Sequence, residues 1–286
     1  MSDRNRRPVE TPANGVVGCI FSKDRAFQLD ATLRSFRSHA QDAEMARLMV
    51  LFRATDARHA RQYALLASTY PDVAFLAEKN FREDLLSIIG PAQTIMFLVD
   101  DTLITRSFSL ALAIDALADE PRALGFSLRL GINTRHFYML DRAQALPAFH
   151  AVGRGMLQYD WRSGEHDFGY PLEVSSSLYR TADLMPLLGN MDFRNPNTLE
   201  AELAARSDTF IDRQPLLRCF ERSVAFSAPM NLVQQEFPNR ARGAADSSVE
   251  ALSQLFDQGF RLDVAAWSDH TSGAAHEEIA LKLVHL

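Results

Sequence analysis

IMFLVDDTLI, from Ile95 to Ile104, holds the main clue to the architecture of this 286-residue chain. Apolar residues run without a charge and then deliver Asp100 and Asp101 side by side. That pattern suits a buried parallel strand whose carboxyl end opens onto a site. Open α/β sheets place their ligands at such strand ends. Two adjacent carboxylates in a poorly solvated place repel each other and ask for a cation, and hard oxygen donors suit Mg²⁺ or Mn²⁺ bridging to phosphates. The same pair would equally serve as solvated residues ahead of a helix beginning near Ser107.

Upstream, VVGCIF (Val16 to Phe21) reads as a short β-branched strand, and Leu29, Leu33 and Phe36 then recur at helical spacing. The loop Ser22 to Ala26 between them can offer backbone N–H groups to a phosphate or a base. Lys23 and Arg25 add charge there, although a loop lysine is usually solvated surface. Arg47 to Phe52 makes a second strand, followed by a helix opened by Thr55 or Asp56 and closed by Pro71. Asp72 to Ala77 gives a third strand, and Glu83 to Ile89 a short helix stopped by Gly90 and Pro91. This alternation predicts an α/β fold, a doubly wound, mostly parallel sheet with right-handed crossovers and helices on both faces.

Downstream, a helix is expected over Ser107 to Ala118, a strand over Leu124 to Leu130, and another strand is possible at Phe137 to Leu140. The stretch Tyr159 to Arg180 gathers aromatic, Gly and acidic residues, as loops cradling a polar ligand do, and as turn-rich hairpins covering a core also do. NPNTLEAELAAR reads as a loop into a helix, with Asn197 or Thr198 capping and Glu200 in the first turn. Arg240 to Ser248 is the best candidate for a mobile loop, and a helix follows over Ser248 to Gly259. Residues 1–14 read as a disordered tail and 15–286 as one catalytic domain, with a donor-binding half to about 130 and an acceptor-side half beyond it.

A hydrophobic content of 47% can build a sizeable core in a chain of this length. The formal charge of -6 argues against general nucleic-acid binding, which rests on a basic face. Cys19 and Cys219 lie far apart in sequence, Cys19 reading as a small core residue in an apolar strand pattern and Cys219 lying in a helical one, and they fit a reducing cytoplasm. The polar N-terminus has no apolar run of the secretory kind, and no integral membrane segment is expected, so any membrane association would be peripheral, at the inner face.

The order of these pieces resembles the GT-A class of nucleotide-sugar glycosyltransferases, and within it an uncharacterised bacterial branch like glycosyltransferase family 2. VVGCIFSKDRAFQLDATLRSF looks like the opening strand, loop and helix, and FLVDDTLI like the acidic metal motif. FGYPLEVSSSLYR and NPNTLEAEL look like the acceptor-side segment and the acidic helix start of inverting members. The resemblance runs from about Val16 to Glu278.

It implies a metal-dependent, inverting transfer of a sugar from a nucleoside-diphosphate donor, with UDP-linked sugars among the candidates, to a hydroxyl on a glycan, lipid-linked or small-molecule acceptor. Asp101, with Asp100, would hold Mn²⁺ or Mg²⁺ on the donor diphosphate, and His276 would complete the metal shell. Phe21, Ser22 and Arg25 fall where the class binds base and ribose, Arg53 would join them, and Arg129 would reach the donor sugar or diphosphate. Glu200 matches the catalytic base. The usual pattern has Glu followed by Asp, whereas Ala201 and Glu202 follow here, so Asp167 is the substitute base. Trp161 and Tyr170 would either stack on an acceptor sugar or cover the core. The competing readings are a sugar nucleotidyltransferase, which would want a Gly-rich loop that SKDRAF lacks, and a non-catalytic nucleotide-sugar-binding protein.

Overall fold

In the computed structural model, which describes residues 15–90, 92–231 and 247–286, β1 (Val16–Lys23) turns sharply into α1 (Ala26–His39). There follow β2 (Ala46–Arg53), α2 (Ala57–Thr69), β3 (Ala74–Ala77), α3 (Phe81–Ile89), β4 (Thr94–Val99) and the short β5 (Thr102–Ile104). The middle of the chain forms α4 (Leu110–Asp119), β6 (Ala123–Ser127), β7 (His136–Phe137), β8 (Arg142–Ala143), β9 (His150–Gly153), β10 (Met156–Asp160) and β11 (Ser176–Arg180). The last third gives α5 (Thr181–Leu188), α6 (Pro196–Ala204), β12 (Leu216–Phe220), β13 (Ala225–Ser227), α7 (Val249–Asp257), β14 (Phe260–Leu262) and β15 (Leu283–His285).

Nine strands form one mixed sheet in the order β3-β2-β1-β4-β11-β6-β12-β10-β9. All but β11 and β10 run in the same direction, since these two pair antiparallel with their neighbours while β3, β2, β1 and β4 are parallel, as are β6 and β12. The period-2 alternation of the central strands splits the core in two. Val16, Ile20, Met96 and Leu98 face α1, α2, α4 and α7 on one side. Val17, Cys19, Phe21, Ile95 and Phe97 face α3, α5 and α6 on the other. The sheet is thus covered by helices on both faces, which is why its inner strands read as unbroken apolar runs.

Several boundaries differ from expectation for identifiable reasons. The strand expected over Leu124 to Leu130 ends at Ser127, because the Leu128 carbonyl turns to accept N–H bonds from Val224 and Ala225. Phe137 to Leu140 holds only the last residue of a two-residue strand, His136–Phe137, which runs into a 3-10 turn over Tyr138–Leu140, followed by Asp141 at a φ of 50°. The helix expected from Ser107 starts at Leu110, with Ser109 as its cap. Helix α6 is capped by Asn195, in a reciprocal box with Thr198, rather than by Asn197 or Thr198. Its first turn therefore holds no acid, and Glu200 stands one turn further in. The expected N-terminal tail, Pro91 and most of the stretch Arg240 to Ser248 lie outside the described residues.

Gly125 is required where β6 meets β11. A Cβ there would stand 2.6 Å from the Tyr179 ring and 3.1 Å from the Leu178 carbonyl oxygen. Tyr179 is fully buried and its hydroxyl donates to the Glu173 carbonyl at 2.8 Å, so the ring has no room to yield. Gly125→Ala is expected to cost about 1–3 kcal/mol by overpacking, read as a lowered midpoint in chemical denaturation.

Candidate active site

The carboxyl ends of the parallel strands open into a cleft of about 440 Å³. Phe21, Lys23, Arg53 and Glu78 line it on the β1–β2–β3 side, and Asp100, Asp101, Glu200 and His276 on the other.

Asp100, 3% exposed, ends β4 and is fully engaged. It accepts from Ser22 Oγ at 2.9 Å and from Arg25 Nη1 at 3.0 Å, while its carbonyl accepts from Thr32 Oγ1 at 2.8 Å. Burial pushes its carboxyl upward and Arg25 opposes the shift. Ser22 is held in turn by the Tyr63 hydroxyl at 2.7 Å. Arg25 also reaches Asp101 at 3.3 Å and binds Asn231, through Nε to Oδ1 at 2.9 Å and through Nη2 to its carbonyl. The sharp turn that sends Arg25 there passes through Asp24, at a φ of 56°, whose carboxylate is fixed by the Thr55 N–H and hydroxyl at 2.8 Å.

Asp101 has fewer partners. Its carboxyl is pushed up to about 6 by burial, with Arg25 pulling down and Asp100 pushing up. The strand ladder brings His276 close to it: Thr102 pairs with Ser227, and Ser227 bridges to His276. Two strand spacings, about 10 Å, thus separate the backbone beside Asp101 from that of His276. Between them, Ser227 Oγ is buried, with no hydrogen-bond partner among the described residues, and Ser227 lines the cleft.

Glu200 points from α6 into the cleft and accepts the Val174 N–H at 3.2 Å. Burial raises its carboxyl to about 7, against the pull of Arg129 and with a push from Glu173. Its placement beyond the first helical turn leaves it without the helix-dipole support that a first-turn carboxylate would have, and burial disfavours the ionised form.

Arg129 does not line the cleft but sits buried behind it, paired with Glu173 at 3.1 Å and facing His276 Nε2 at 3.3 Å through Nη1. A guanidinium only donates, so the imidazole accepts through Nε2 and is neutral, its pKa pushed down to about 3 by burial and Arg129. Asp167 is also off the cleft lining. Its carboxylate accepts from Gln144 at 3.1 Å, and burial holds it above the usual carboxylate range. Arg53 lines the cleft with its side chain 63% exposed. Trp161 is buried and donates from its indole to the Gln214 carbonyl at 2.8 Å, so it covers the core. Tyr170 stays partly exposed near Glu200, whose charge adds to burial in pushing its phenol upward.

Sequence reading missed Glu173, Tyr63, Asn231 and Glu78. Glu173 is 4% exposed and receives the Ser176 N–H, the Ser177 hydroxyl and Arg129. Its signal was present: an acid inside LEVSSS, where the following serines supply donors.

Among the described residues, no three His, Cys, Asp or Glu side chains gather closely enough to hold a metal ion alone. No helix among them is long and apolar enough to cross a membrane. No protein-family model matches the chain. A bifunctional glycosyltransferase, pgtA of Dictyostelium discoideum, is 27% identical over 195 residues, 62% of this chain and 25% of that protein.

The chain is similar in sequence to a known glycosyltransferase.

It spans about a quarter of the length of that relative. Among solved structures, residues 1–349 of S. aureus TarS in complex with UDP match with a TM-score of 0.48 and 14% identity over 76% of this chain and 61% of that one. Mannosyltransferase PcManGT from Pyrobaculum calidifontis, in complex with GDP-Man and Mn²⁺, matches with a TM-score of 0.38 and 14% identity over 60% of this chain and 46% of that one. These likenesses are distant.

Proposed function

We propose that this protein is a divalent-cation-dependent glycosyltransferase that moves a sugar from a nucleoside-diphosphate sugar to an acceptor hydroxyl with inversion. The observation that carries the reading is the meeting in one cleft of Asp101, at a parallel strand end, and Glu200, whose carboxyl titrates near neutrality. The sequence likeness to a glycosyltransferase supports it.

Glu200 takes the proton of the acceptor hydroxyl as that oxygen attacks the anomeric carbon. The bond from that carbon to the phosphate oxygen breaks, and its electron pair leaves with the nucleoside diphosphate. Asp167 is the less suited candidate for this role, since it does not line the cleft and its carboxylate accepts from Gln144. Arg25 and Ser22 act on the donor through Asp100, fixing the acidic strand end, while Phe21 and Arg53 face the nucleoside side. Arg129 positions Glu173 and His276 from behind and balances charge near Glu200.

The donor set suits a hard cation. Asp101 offers a carboxylate, His276 a neutral imidazole, and Ser227 an unpartnered buried hydroxyl between them. Ligation through His276 Nε2 would exchange one Arg129 hydrogen bond for a metal bond. A small set of protein donors completed by phosphate oxygens and water is a usual shell for Mg²⁺ or Mn²⁺. When bound, such an ion neutralises charge gathering on the departing diphosphate. Because the protein supplies so few ligands, cation and nucleotide should bind together.

The expected result is that nucleoside diphosphates raise the melting temperature only weakly alone and strongly with Mn²⁺. His276→Ala should weaken Mn²⁺ affinity measured calorimetrically with nucleotide present. Unchanged affinity in that variant would remove His276 from the cation shell, and no shift with any nucleotide would remove the donor reading.

A further inference from the structure

Glu78 follows β3 directly, its N–H donating to the Phe52 carbonyl at 2.8 Å, and its carboxylate lines the cleft with its side chain 18% exposed. Most carboxylates this enclosed are satisfied. Asp100 and Glu173 each accept from several donors, and Asp24 accepts two from Thr55. Glu78 has only a long ion pair, 4.0 Å to Arg53, among the described residues. It thus stands as an acceptor turned into the cleft beside a donor.

Its position fixes what it can meet. The acidic pair at the end of β4 marks the diphosphate end, and β1, β2 and β3 follow in that order to one side. Three strand spacings, about 14 Å, separate β4 from β3, which is the reach of an extended nucleoside diphosphate. Phe21, Leu51 and Phe81, themselves packed into the core, give the cleft apolar edges on the way. Glu78 and Arg53 stand beyond that lining, at the side of the cleft away from the acidic pair.

Resting on the donor reading above, we propose that Glu78 selects the base of the nucleotide and that the base it prefers is guanine. A carboxylate accepts and cannot donate. Guanine presents two adjacent donors, the ring N1–H and the exocyclic N2–H₂, which match the two carboxylate oxygens, with O6 beside them for Arg53. Uracil presents one ring N–H flanked by carbonyl oxygens, so the second carboxylate oxygen meets a lone pair. Adenine and cytosine present an amino group but no ring N–H at the same edge. Burial pushes the Glu78 carboxyl upward while Arg53 pulls it down. A pair of donors directed at it stabilises the ionised form as Arg53 does.

The test is calorimetric binding of GDP, IDP, UDP, ADP and CDP, each with Mn²⁺, to the wild type, Glu78→Gln and Glu78→Ala, with melting temperatures checking the fold. Inosine lacks the exocyclic amine, so IDP isolates one of the two bonds. GDP is expected to bind at least about 10-fold tighter than UDP, ADP or CDP, with IDP weaker than GDP. Both variants should lose most of the preference for GDP over IDP while keeping some affinity for every nucleotide through the diphosphate end. Tighter or equal binding of another nucleotide, or a GDP preference that survives in both folded variants, overturns the assignment while leaving the donor reading intact. Failure of all five nucleotides to bind the wild type overturns both.

Discussion

Replacing Glu200 by glutamine is expected to cut sugar transfer by roughly 10²-fold to 10⁴-fold while nucleotide affinity stays near that of the wild type. The amide keeps the size of the side chain and its carbonyl still accepts the Val174 N–H, so the geometry of the cleft is retained. Only the proton acceptor is lost. The pH dependence carries a second signature. With a carboxyl titrating at about 7, the base is protonated and idle in acid, so kcat/KM should rise as pH increases through neutrality and level off above it. The residual activity of Glu200→Gln should lack that rise. Stability moves the other way. Glu200 binds its proton more tightly when folded than when unfolded, so between the ordinary carboxylate range and about pH 7 its burial becomes progressively more costly, and above pH 7 the full cost is present. In the ligand-free protein at pH 8, Glu200→Gln should therefore melt no lower than the wild type. A mere packing residue would leave the pH profile unchanged, and near-normal turnover would move the base to Asp167 or Glu202.

Asp101→Ala should lose transfer by at least about 10²-fold without unfolding the protein. Its carboxylate has one contact with Arg25 at 3.3 Å, and Arg25 keeps Asp100 and Asn231 when that contact is removed. Asp101→Asn should behave alike, since a neutral amide is a poor ligand for Mg²⁺. The neighbouring residue provides the contrast. Asp100→Ala leaves the buried Arg25 guanidinium without its closest counter-charge and should destabilise by about 3–5 kcal/mol. Two adjacent acids thus separate into one whose loss is read in turnover and one whose loss is read first in the melting curve.

Much of this side of the cleft was legible in the sequence, because parallel strands buried on both faces must be apolar throughout and because a pair of acids cannot end such a strand without a partner. Asp100 and Asp101 fall on the cleft at the end of β4, as that logic requires, and Phe21 and Arg53, named on the family resemblance, also line it. What could not be read was which acid is satisfied. The Arg25 bridge joins residues about 75 positions apart, and its Asn231 anchor is more distant still. Neither leaves a local pattern. Glu200 shows a different limit. The cap of α6 is Asn195, two residues before Asn197 and three before Thr198, and that shift changes the physical account of Glu200 from a first-turn carboxylate, which the helix dipole would support, to a buried one. Arg129 was expected to reach the donor, yet it lies behind the cleft because its strand ends at Ser127 and the chain bends toward Val224. Glu78 follows the third strand with no motif around it, and only the strand order shows that it stands three strands from the acidic pair.

The central claim is that Asp101 and Glu200 act on a nucleoside-diphosphate sugar. Its most direct measurement is nucleoside diphosphate release from a panel of such sugars, in the presence of Mn²⁺ and of glycan and small-molecule acceptors, for the wild type and Asp101→Ala. The account predicts release from at least one donor by the wild type and its loss in the folded variant. Binding of nucleoside diphosphate with no release from any donor, or release by Asp101→Ala at the wild-type rate, would contradict it.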